Sequence, residues 1–210
     1  IPHYRELTAK DEEALLARAH GQAPEEAPVA PQTPEGEEPE APGSFREGRW
    51  GGREIEVASV RLLDDRGQER HVYTPGENLT VSLRVHAAKP VEDFVFGIGI
   101  FTAAGVSVYG TNTHLEDFEP ELAEGPGEVA ITLQDLRLVE GTYLLDVAAH
   151  RKDGTPYDYH RGLYSFRVKS RIKDVGVYRP HHRWSFSGGV VLEPPEPRPE
   201  LDLRDTAETG

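Results

Sequence analysis

The chain has 210 residues, a formal net charge of −14, a mean hydropathy of −0.57, and neither cysteine nor methionine. The missing cysteines exclude a disulfide framework, thiolate metal sites and a cysteine nucleophile, and the negative charge disfavours binding to nucleic acid or anionic lipid. No apolar run approaches the roughly 18 residues that suggest a membrane-spanning helix. Because methionine is absent, we expect the chain to be a piece of a longer protein.

The first 49 residues predict a helix remnant followed by a linker. Thr8, with Asp11 and Glu12 after it, resembles a helix N-cap with acidic residues in the first turn. Residues 21–49 are rich in proline, glutamate, alanine and glycine, a composition that predicts a disordered linker. The alternative for residues 1–20 is a fraying segment, since short helices are marginal alone and the apolar stripe is weak: Leu7, Leu15, Leu16 and Ala19.

Residues 50–186 predict an all-β domain, an immunoglobulin-like antiparallel β-sandwich. Polar and apolar residues alternate in short runs, most clearly from Leu79 to Val85, and turn signals such as Asp64–Gly67 and Asp153-Gly154 separate them. About eight strands at this spacing are typical of a sandwich. Tyr143, at a strand start, resembles the tyrosine corner of immunoglobulin-like domains.

The C-terminal part divides into two segments. Residues 175–186 combine Val175, Val177 and Tyr178 with Trp184 and Phe186, which indicates one more strand with an aromatic anchor. Residues 187–210 are rich in proline and acidic residues and predict a disordered tail.

The sequence contains none of the catalytic motifs that would indicate an enzyme. There is no Gly-x4-Gly-Lys-Ser/Thr phosphate loop and no Gly-x-Ser-x-Gly elbow. The neighbours His181 and His182 would diverge on a strand, so they predict surface roles, not a metal site. No carboxylate pair is singled out for acid–base chemistry. We therefore predict no catalytic residue, no metal and no cofactor.

One strand pair does suggest a binding surface. Gly97, Gly99 and Ala148 are small residues predicted to share the outer face of neighbouring strands, where they would leave a shallow trough. An aromatic ring beside polar groups suits a sugar, which offers CH faces for stacking and hydroxyls for hydrogen bonds. The alternative is an ordinary solvated sheet face. Alternation predicts these residues around the trough: Tyr109, Thr111, Asp146, His150 and Arg167.

Several segments together resemble a known family, the C-terminal domain of Wzt, the nucleotide-binding subunit of ABC transporters that export O-antigen polysaccharide. The resemblance covers residues 50–186, and Gly-Thr-Asn-Thr and Gly-Thr-Tyr are its most specific pieces. The segments are Arg49-Trp50-Gly51 with Ile55–Leu62, Pro75–Val81, Phe96–Ile100, Gly105–Thr113, Leu138–Tyr143 and Tyr164–Val168.

The resemblance implies a position and partners for the domain. It would follow an ATPase domain through a charged linker, matching residues 1–49, and form a homodimer by exchanging C-terminal strands, matching residues 175–186. It would bind a lipid-linked polysaccharide on the cytoplasmic side, as a peripheral part of an inner-membrane transporter whose permease subunit it reaches through the ATPase. The resemblance transfers no sugar-contacting residue, so the trough residues rest on strand geometry alone.

The leading hypothesis is therefore a non-catalytic carbohydrate-binding domain of a polysaccharide ABC exporter, acting in lipopolysaccharide O-antigen export. The alternative is a dimerisation module that orients two ATPase subunits without touching glycan. A third hypothesis, an enzyme acting on polysaccharide, is disfavoured by the missing catalytic motifs.

Overall fold

The computed structural model describes residues 9–20, 48–193 and 195. Within these ranges helix α1 is followed by nine strands. Their bounds are α1 Ala9–His20, β1 Gly48–Trp50, β2 Ile55–Leu63, β3 Val72–Tyr73, β4 Leu79–Val91, β5 Val95–Thr102, β6 Ser107–Asn112, β7 Ala123–Leu133, β8 Gly141–His150 and β9 Pro156–Val168.

The strands form two sheets packed face to face. The larger sheet has the order β1-β9-β8-β5-β6, with the short β3 pairing in parallel beside the end of β9, and the smaller sheet has the order β2-β4-β7. Every other strand pair is antiparallel. The prediction of an all-β antiparallel sandwich is confirmed.

The core lies between the sheets and follows the alternation of the sequence. Leu79, Val81 and Leu83 of β4 are buried against Ile98 and Ile100 of β5. Apolar side chains on one face of each strand are thereby removed from water, which is the main stabilisation available to such a domain. The face of the larger sheet that turns away from the smaller sheet, opposite the core, is called the outer face.

The predicted tyrosine corner is present. The hydroxyl of Tyr143 donates a hydrogen bond of 2.8 Å to the carbonyl oxygen of Val139, and its ring stacks on Phe166 with centroids 5.5 Å apart. Both rings are buried, and the hydroxyl satisfies a carbonyl that would otherwise be lost to water. The corner therefore fixes how the chain enters β8.

Helix α1 is attached to the sandwich by an acidic side chain. The Glu13 carboxylate accepts a hydrogen bond from the backbone N–H of His71 and lies 3.0 Å from His71 Nδ1. Leu16 is half-buried, whereas Leu15 is exposed. The helix prediction is confirmed for Ala9–His20. The predicted N-cap Thr8, Leu7, the Ala19 side chain, the linker over 21–47 and most of the predicted tail lie outside what the structure describes.

An isolated bridge joins Leu63 to Glu69 between β2 and β3, and β7 begins at Ala123. One segment differs from its predicted form. The segment after Lys169 forms a single bridge, Leu138 with Tyr178, instead of a strand. Its backbone is joined to the residues before β8 by hydrogen bonds from Val139 N–H to Val177 O and from Arg179 N–H to Arg137 O, while Val175 and Tyr178 stay exposed.

None of the described helical residues forms a segment long and apolar enough to cross a membrane.

Candidate functional site

A trough of about 210 Å³ lies on the outer face, and its floor is made of small residues. Gly97 of β5 pairs with Ala148 of β8, and Gly99 pairs with Gly110 of β6. Part of this smallness is required by packing, because a Cβ at Gly97 would lie 3.0 Å from the Cβ of Asn112. The same lack of side chains leaves the concave surface open between β6 and β9.

Two stacked aromatic rings stand at the β9 side of the trough. Trp50 of β1 pairs with Tyr159 of β9, so both side chains lie on the outer face, and their ring centroids are 4.7 Å apart with planes inclined by 16°. Tyr159 lines the trough directly, and Trp50 lies behind it, 38% exposed. The hydroxyl of Tyr159 stays protonated, because burial, together with the nearby Asp146, raises its pKa to about 12.

A buried carboxylate holds this ring from below. Asp146 sits at an irregularity in the β8–β9 pairing, and its Oδ1 accepts a 2.7 Å hydrogen bond from the N–H of Gly162. Its Oδ2 accepts the Tyr159 hydroxyl at 3.2 Å. Burial raises the pKa of Asp146, and the hydrogen bonds from Gly162 and Tyr159 lower it only in part. Asp146 is thus an oriented acceptor at the floor of the trough.

The end of the trough near the β8–β9 turn is polar. His150 Nδ1 lies 2.7 Å from the carbonyl oxygen of Arg151; since a carbonyl only accepts, Nδ1 carries the proton and Nε2 is left to meet a ligand. Beyond it, Lys152 Nζ pairs with Glu119 Oε2 at 2.5 Å, linking the turn to the loop after β6. Leu115 of that loop also lines the trough.

Two predicted trough residues, Tyr109 and Thr111, have side chains on the other face. Tyr109 pairs with Ile100 and Thr111 with Ile98, and directly opposed residues share a face, so both side chains turn toward the smaller sheet. Thr111 still borders the trough, but its hydroxyl donates to Glu116 at 2.8 Å. The prediction assigned β6 to the wrong face because alternation within a strand does not fix its register against β5.

Arg167 lies on β9 at the far end of the sheet. Its guanidinium donates to the Thr142 hydroxyl at 3.0 Å, and the pair sits four residues along β8 from Asp146, about 13 Å away at strand spacing. Arg167 therefore does not join the trough. Of the five predicted residues, the structure brings together Asp146 and His150, with Thr111 at the border.

The trough residues that sequence analysis missed are mostly aromatic or amide side chains from other strands. Alternation along β9 would place Tyr157 and Tyr159 on the same face. The irregularity in the β8–β9 pairing next to His150 instead leaves Tyr157 in the core and Tyr159 on the outer face, which the sequence does not indicate. The pairing of Trp50 with Tyr159, 109 residues away, has no local signal. The missed residues are Trp50, Tyr159, Asn112 and Leu115.

A second, larger groove of about 670 Å³ opens between the sheets at the edge strands β6 and β7. Its walls are largely apolar, and the inward residues of β7 are only half-buried, because no strand covers that edge. Tyr109, 45% exposed, stands at its mouth with Phe118. The half-buried β7 residues are Val129, Ile131 and Leu133.

The part of the chain described by the structure contains no cluster of three or more histidine or carboxylate side chains placed to hold a metal ion.

Comparison with known proteins assigns this sandwich to a family. The model of the Wzt C-terminal domain matches residues 46–180. The chain belongs to the Wzt C-terminal domain family. A solved structure described as the C-terminal domain of Wzt covers 70% of this chain and 93% of its own, with a TM-score of 0.60 at 21% identity, so it shows the same fold.

A curated relative places the family in a longer protein. The O-antigen export system ATP-binding protein RfbB of Myxococcus xanthus is 32% identical over 154 residues, which is 70% of this chain. This chain spans only 34% of that relative's length. The sequence of this chain contains no phosphate-binding loop. The predicted family resemblance is thereby confirmed.

Proposed function

We propose that this Wzt C-terminal domain is a non-catalytic carbohydrate-binding domain of an O-antigen ABC exporter, and that the trough holds the glycan. The observation that carries the proposal is the Trp50–Tyr159 stack beside a floor of small residues. Sugar rings present CH groups that pack on aromatic faces, and a flat floor lets a ring approach the sheet closely.

The polar groups of the trough suit hydroxyl recognition. Asp146 supplies a fixed acceptor, Asn112 an amide and His150 Nε2 a polar ring nitrogen, each held by a hydrogen bond of its own. A sugar lacking the matching hydroxyl would leave these groups unpaired, which gives selectivity. The binding residues we propose are therefore Asp146, His150, Asn112 and Tyr159, with Thr111 at the border.

The size of the trough favours a small part of the polymer. Its volume of about 210 Å³ is below the roughly 300–1,000 Å³ of pockets that enclose drug-sized ligands. It is suited to about one sugar ring, with the rest of the chain running over the outer face. The acidic net charge, −14, favours a neutral or cationic sugar over nucleic acid.

The biological setting we propose follows the family. The domain would be tethered to an ATPase region through residues 1–49 and would capture lipid-linked polysaccharide on the cytoplasmic side of the inner membrane. Capture raises the local concentration of glycan at the permease, so the domain acts by recognition and proximity. The supporting observations are the family match and the relative named as an ATP-binding protein of O-antigen export.

The C-terminal segment supports a homodimer. Trp184 is 76% exposed, and Phe186, Val191 and Leu192 are also exposed on a segment without regular structure. The groove between β6 and β7 is apolar and lacks an edge strand. Unpaired edges and exposed apolar side chains both favour association, so we propose that this segment of a second copy fills the groove.

Titration calorimetry with polysaccharide purified from the source organism tests the glycan proposal. Wild-type protein should bind saturably, and Tyr159→Ala should weaken binding by about tenfold or more, since it removes one stacking surface. Tyr109→Ala is the matched control, because that ring lies on the other face. A loss in Tyr109→Ala with none in Tyr159→Ala would move the site to the groove between the sheets.

The same samples separate the alternatives. Absence of saturable binding in a protein that remains a tight dimer would leave only the dimerisation module, and release of free sugar would indicate an enzyme. Truncation after Arg171 tests strand exchange by light scattering: we expect a monomer or a destabilised dimer. A truncated chain that remains an equally tight dimer contradicts the exchange.

A further inference from the structure

Strand β1 is only three residues long, yet it is fastened to β9 from both faces of the sheet. On the outer face Trp50 stacks on Tyr159. On the inner face the preceding residue, Arg49, forms a two-pronged ion pair with Asp158, with Nε–Oδ1 2.9 Å and Nη2–Oδ2 2.7 Å. Consecutive residues of a strand point to opposite faces, so one pair necessarily lies behind the other.

Asp158 is the fixed point of this arrangement. Its side chain is fully buried, and its carboxylate also accepts from Arg53, from the N–H of Val57 at 2.7 Å and from His160 Nε2 at 3.1 Å. Val57 belongs to β2, so the carboxylate joins the two sheets as well as β1 and β9. A carboxylate with this many donors is held in one orientation, and so is the arginine fork that it receives.

The backbone after β1 approaches β9 too closely for any residue but glycine. A Cβ at Gly51 would lie 2.2 Å from the carbonyl oxygen of Tyr157, and Gly51 has φ 137°. Gly52 and Arg53 then donate backbone hydrogen bonds to Pro156 and Tyr157. The position of Trp50 is therefore determined by contacts on both sides of it in sequence.

We propose that Arg49 is a positioning residue for glycan recognition: its pair with Asp158 fixes β1, and Trp50 on β1 in turn holds the Tyr159 ring against the trough. Arg49 itself faces the inside of the sandwich and does not touch the trough. The inference rests on the proposed function and names the device that shapes its aromatic wall. Without the pair, Tyr159 keeps its hydroxyl bond to Asp146 but loses the ring that supports its other face.

Two substitutions of Arg49 and one control test this. Arg49→Gln removes the fork and the charge, while Arg49→Lys keeps a charge beside Asp158 but offers no planar fork. Arg61→Gln is the control, because Arg61 pairs with Glu69 at the exposed surface of β2. All variants are titrated with the source organism's polysaccharide below their unfolding temperatures. We expect about tenfold weaker binding in Arg49→Gln, a smaller loss in Arg49→Lys and no change in Arg61→Gln.

A spectroscopic readout separates positioning from stability. Trp50 and Trp184 are the chain's two tryptophans, so a Trp184→Phe background reports Trp50 alone. We expect Arg49→Gln and Arg49→Lys to increase acrylamide quenching of Trp50 and change the near-ultraviolet circular dichroism of the Trp50–Tyr159 stack. Unchanged affinity in a folded Arg49 variant overturns the positioning role while leaving the proposed function intact, whereas a wild-type protein that binds no glycan overturns both.

Discussion

The two ends of the sandwich are built in opposite ways. At the N-terminal end, β1 is completed within one chain: Asp158 is buried under two arginines and Trp50 lies on Tyr159. At the C-terminal end, residues 182–193 leave Trp184 and Leu192 exposed, and the groove between β6 and β7 is open. The difference teaches that apolar and charged groups are satisfied within one chain at the first end and left exposed at the second, which is why we propose a ligand surface at the first and a partner copy at the second.

The largest expected effect is at the N-terminal end. Asp158→Asn leaves Arg49, Arg53 and His160 without their shared carboxylate, and breaking a buried ion pair costs about 3 kcal/mol or more of the free energy of unfolding. Urea unfolding followed by circular dichroism measures the loss. Glu69→Gln, which breaks the exposed pair with Arg61, should change the same quantity by less than about 0.5 kcal/mol. Equal losses would show that β1 is not fastened by buried charge.

The next effect concerns the C-terminal end and assembly. Trp184→Ser with Phe186→Ser should weaken the dimer by about thirtyfold, since a buried tryptophan at an interface contributes about 2 kcal/mol. Sedimentation measures the dimer dissociation constant, and the free energy of unfolding of the monomer should stay unchanged. Leu15→Ser is the control, because Leu15 is an exposed apolar residue on α1. A dimer that survives the double substitution and dissociates with Leu15→Ser would place the interface at the other end.

Strong acid should weaken the attachment of β1. Burial alone would raise the pKa of Asp158, but hydrogen bonds from His160, Arg49 and Val57 outweigh it and hold the pKa well below its usual range. Because the pKa of Asp158 is lower in the folded than in the unfolded chain, the ionised carboxylate stabilises the fold at pH values above the unfolded-state pKa of about 3.9. This stabilisation is lost progressively as the pH falls below about 3.9 toward the folded-state pKa. Below about pH 4, the stability difference between wild type and Asp158→Asn should shrink by on the order of 1 kcal/mol per pH unit.

Urea unfolding at pH 3, 5 and 7 measures that difference. The free energy of unfolding of the wild type should exceed that of Asp158→Asn by the same amount at pH 5 and pH 7, because Asp158 is ionised at both. A difference that also persists undiminished at pH 3 contradicts the role of the ionised carboxylate. Asp146, whose pKa burial raises, has the opposite sign, so Asp146→Asn should not show this loss on acidification.

The smallest effect concerns one of the contacts that the C-terminal segment makes with its own domain. His181 Nε2 lies 2.9 Å from Asp135 Oδ2, and both side chains are largely exposed. An exposed ion pair contributes little, so His181→Ala should lower the free energy of unfolding by less than about 0.5 kcal/mol. Chemical denaturation of the Trp184→Ser, Phe186→Ser monomer measures the contribution of the His181–Asp135 pair to the free energy of unfolding without a contribution from dimerisation. A loss above 1 kcal/mol would mean that this segment, too, is fastened within one chain.

Much of the fold was predictable because the signal is local. The alternation from Leu79 to Val85 follows from one face being buried, and these residues lie in β4 as predicted. Tyr143, predicted at a strand start, lies near the start of β8. The turn at Asp153-Gly154 and the Tyr143 corner depend on residues within a few positions of each other. Residues 175–178 carry strand-like alternation but form only a bridge, since alternation reports a preference and not a partner.

The candidate site was half predictable for the same reason. The small size of Gly97, Gly99 and Ala148 predicts the floor of the trough. The alternation of β8 predicts that Asp146 and His150 lie beside it. Tyr109 was placed on the wrong face because a shift of one residue in the β5–β6 register exchanges the two faces of β6. Trp50 was not predicted as a site residue, because no local sequence pattern indicates that it pairs with Tyr159.

By itself the sequence determined the class of the molecule: an all-β sandwich without catalytic motifs, whose segments resemble the Wzt C-terminal domain. These properties depend on composition, period-two alternation and turn residues, all of which act over a few positions. Tertiary structure alone decided which ring lines the trough and which buried charge supports it, because Arg49 meets Asp158 across 109 positions of chain. It also decided that the C-terminal aromatic residues stay outside the core of their own copy.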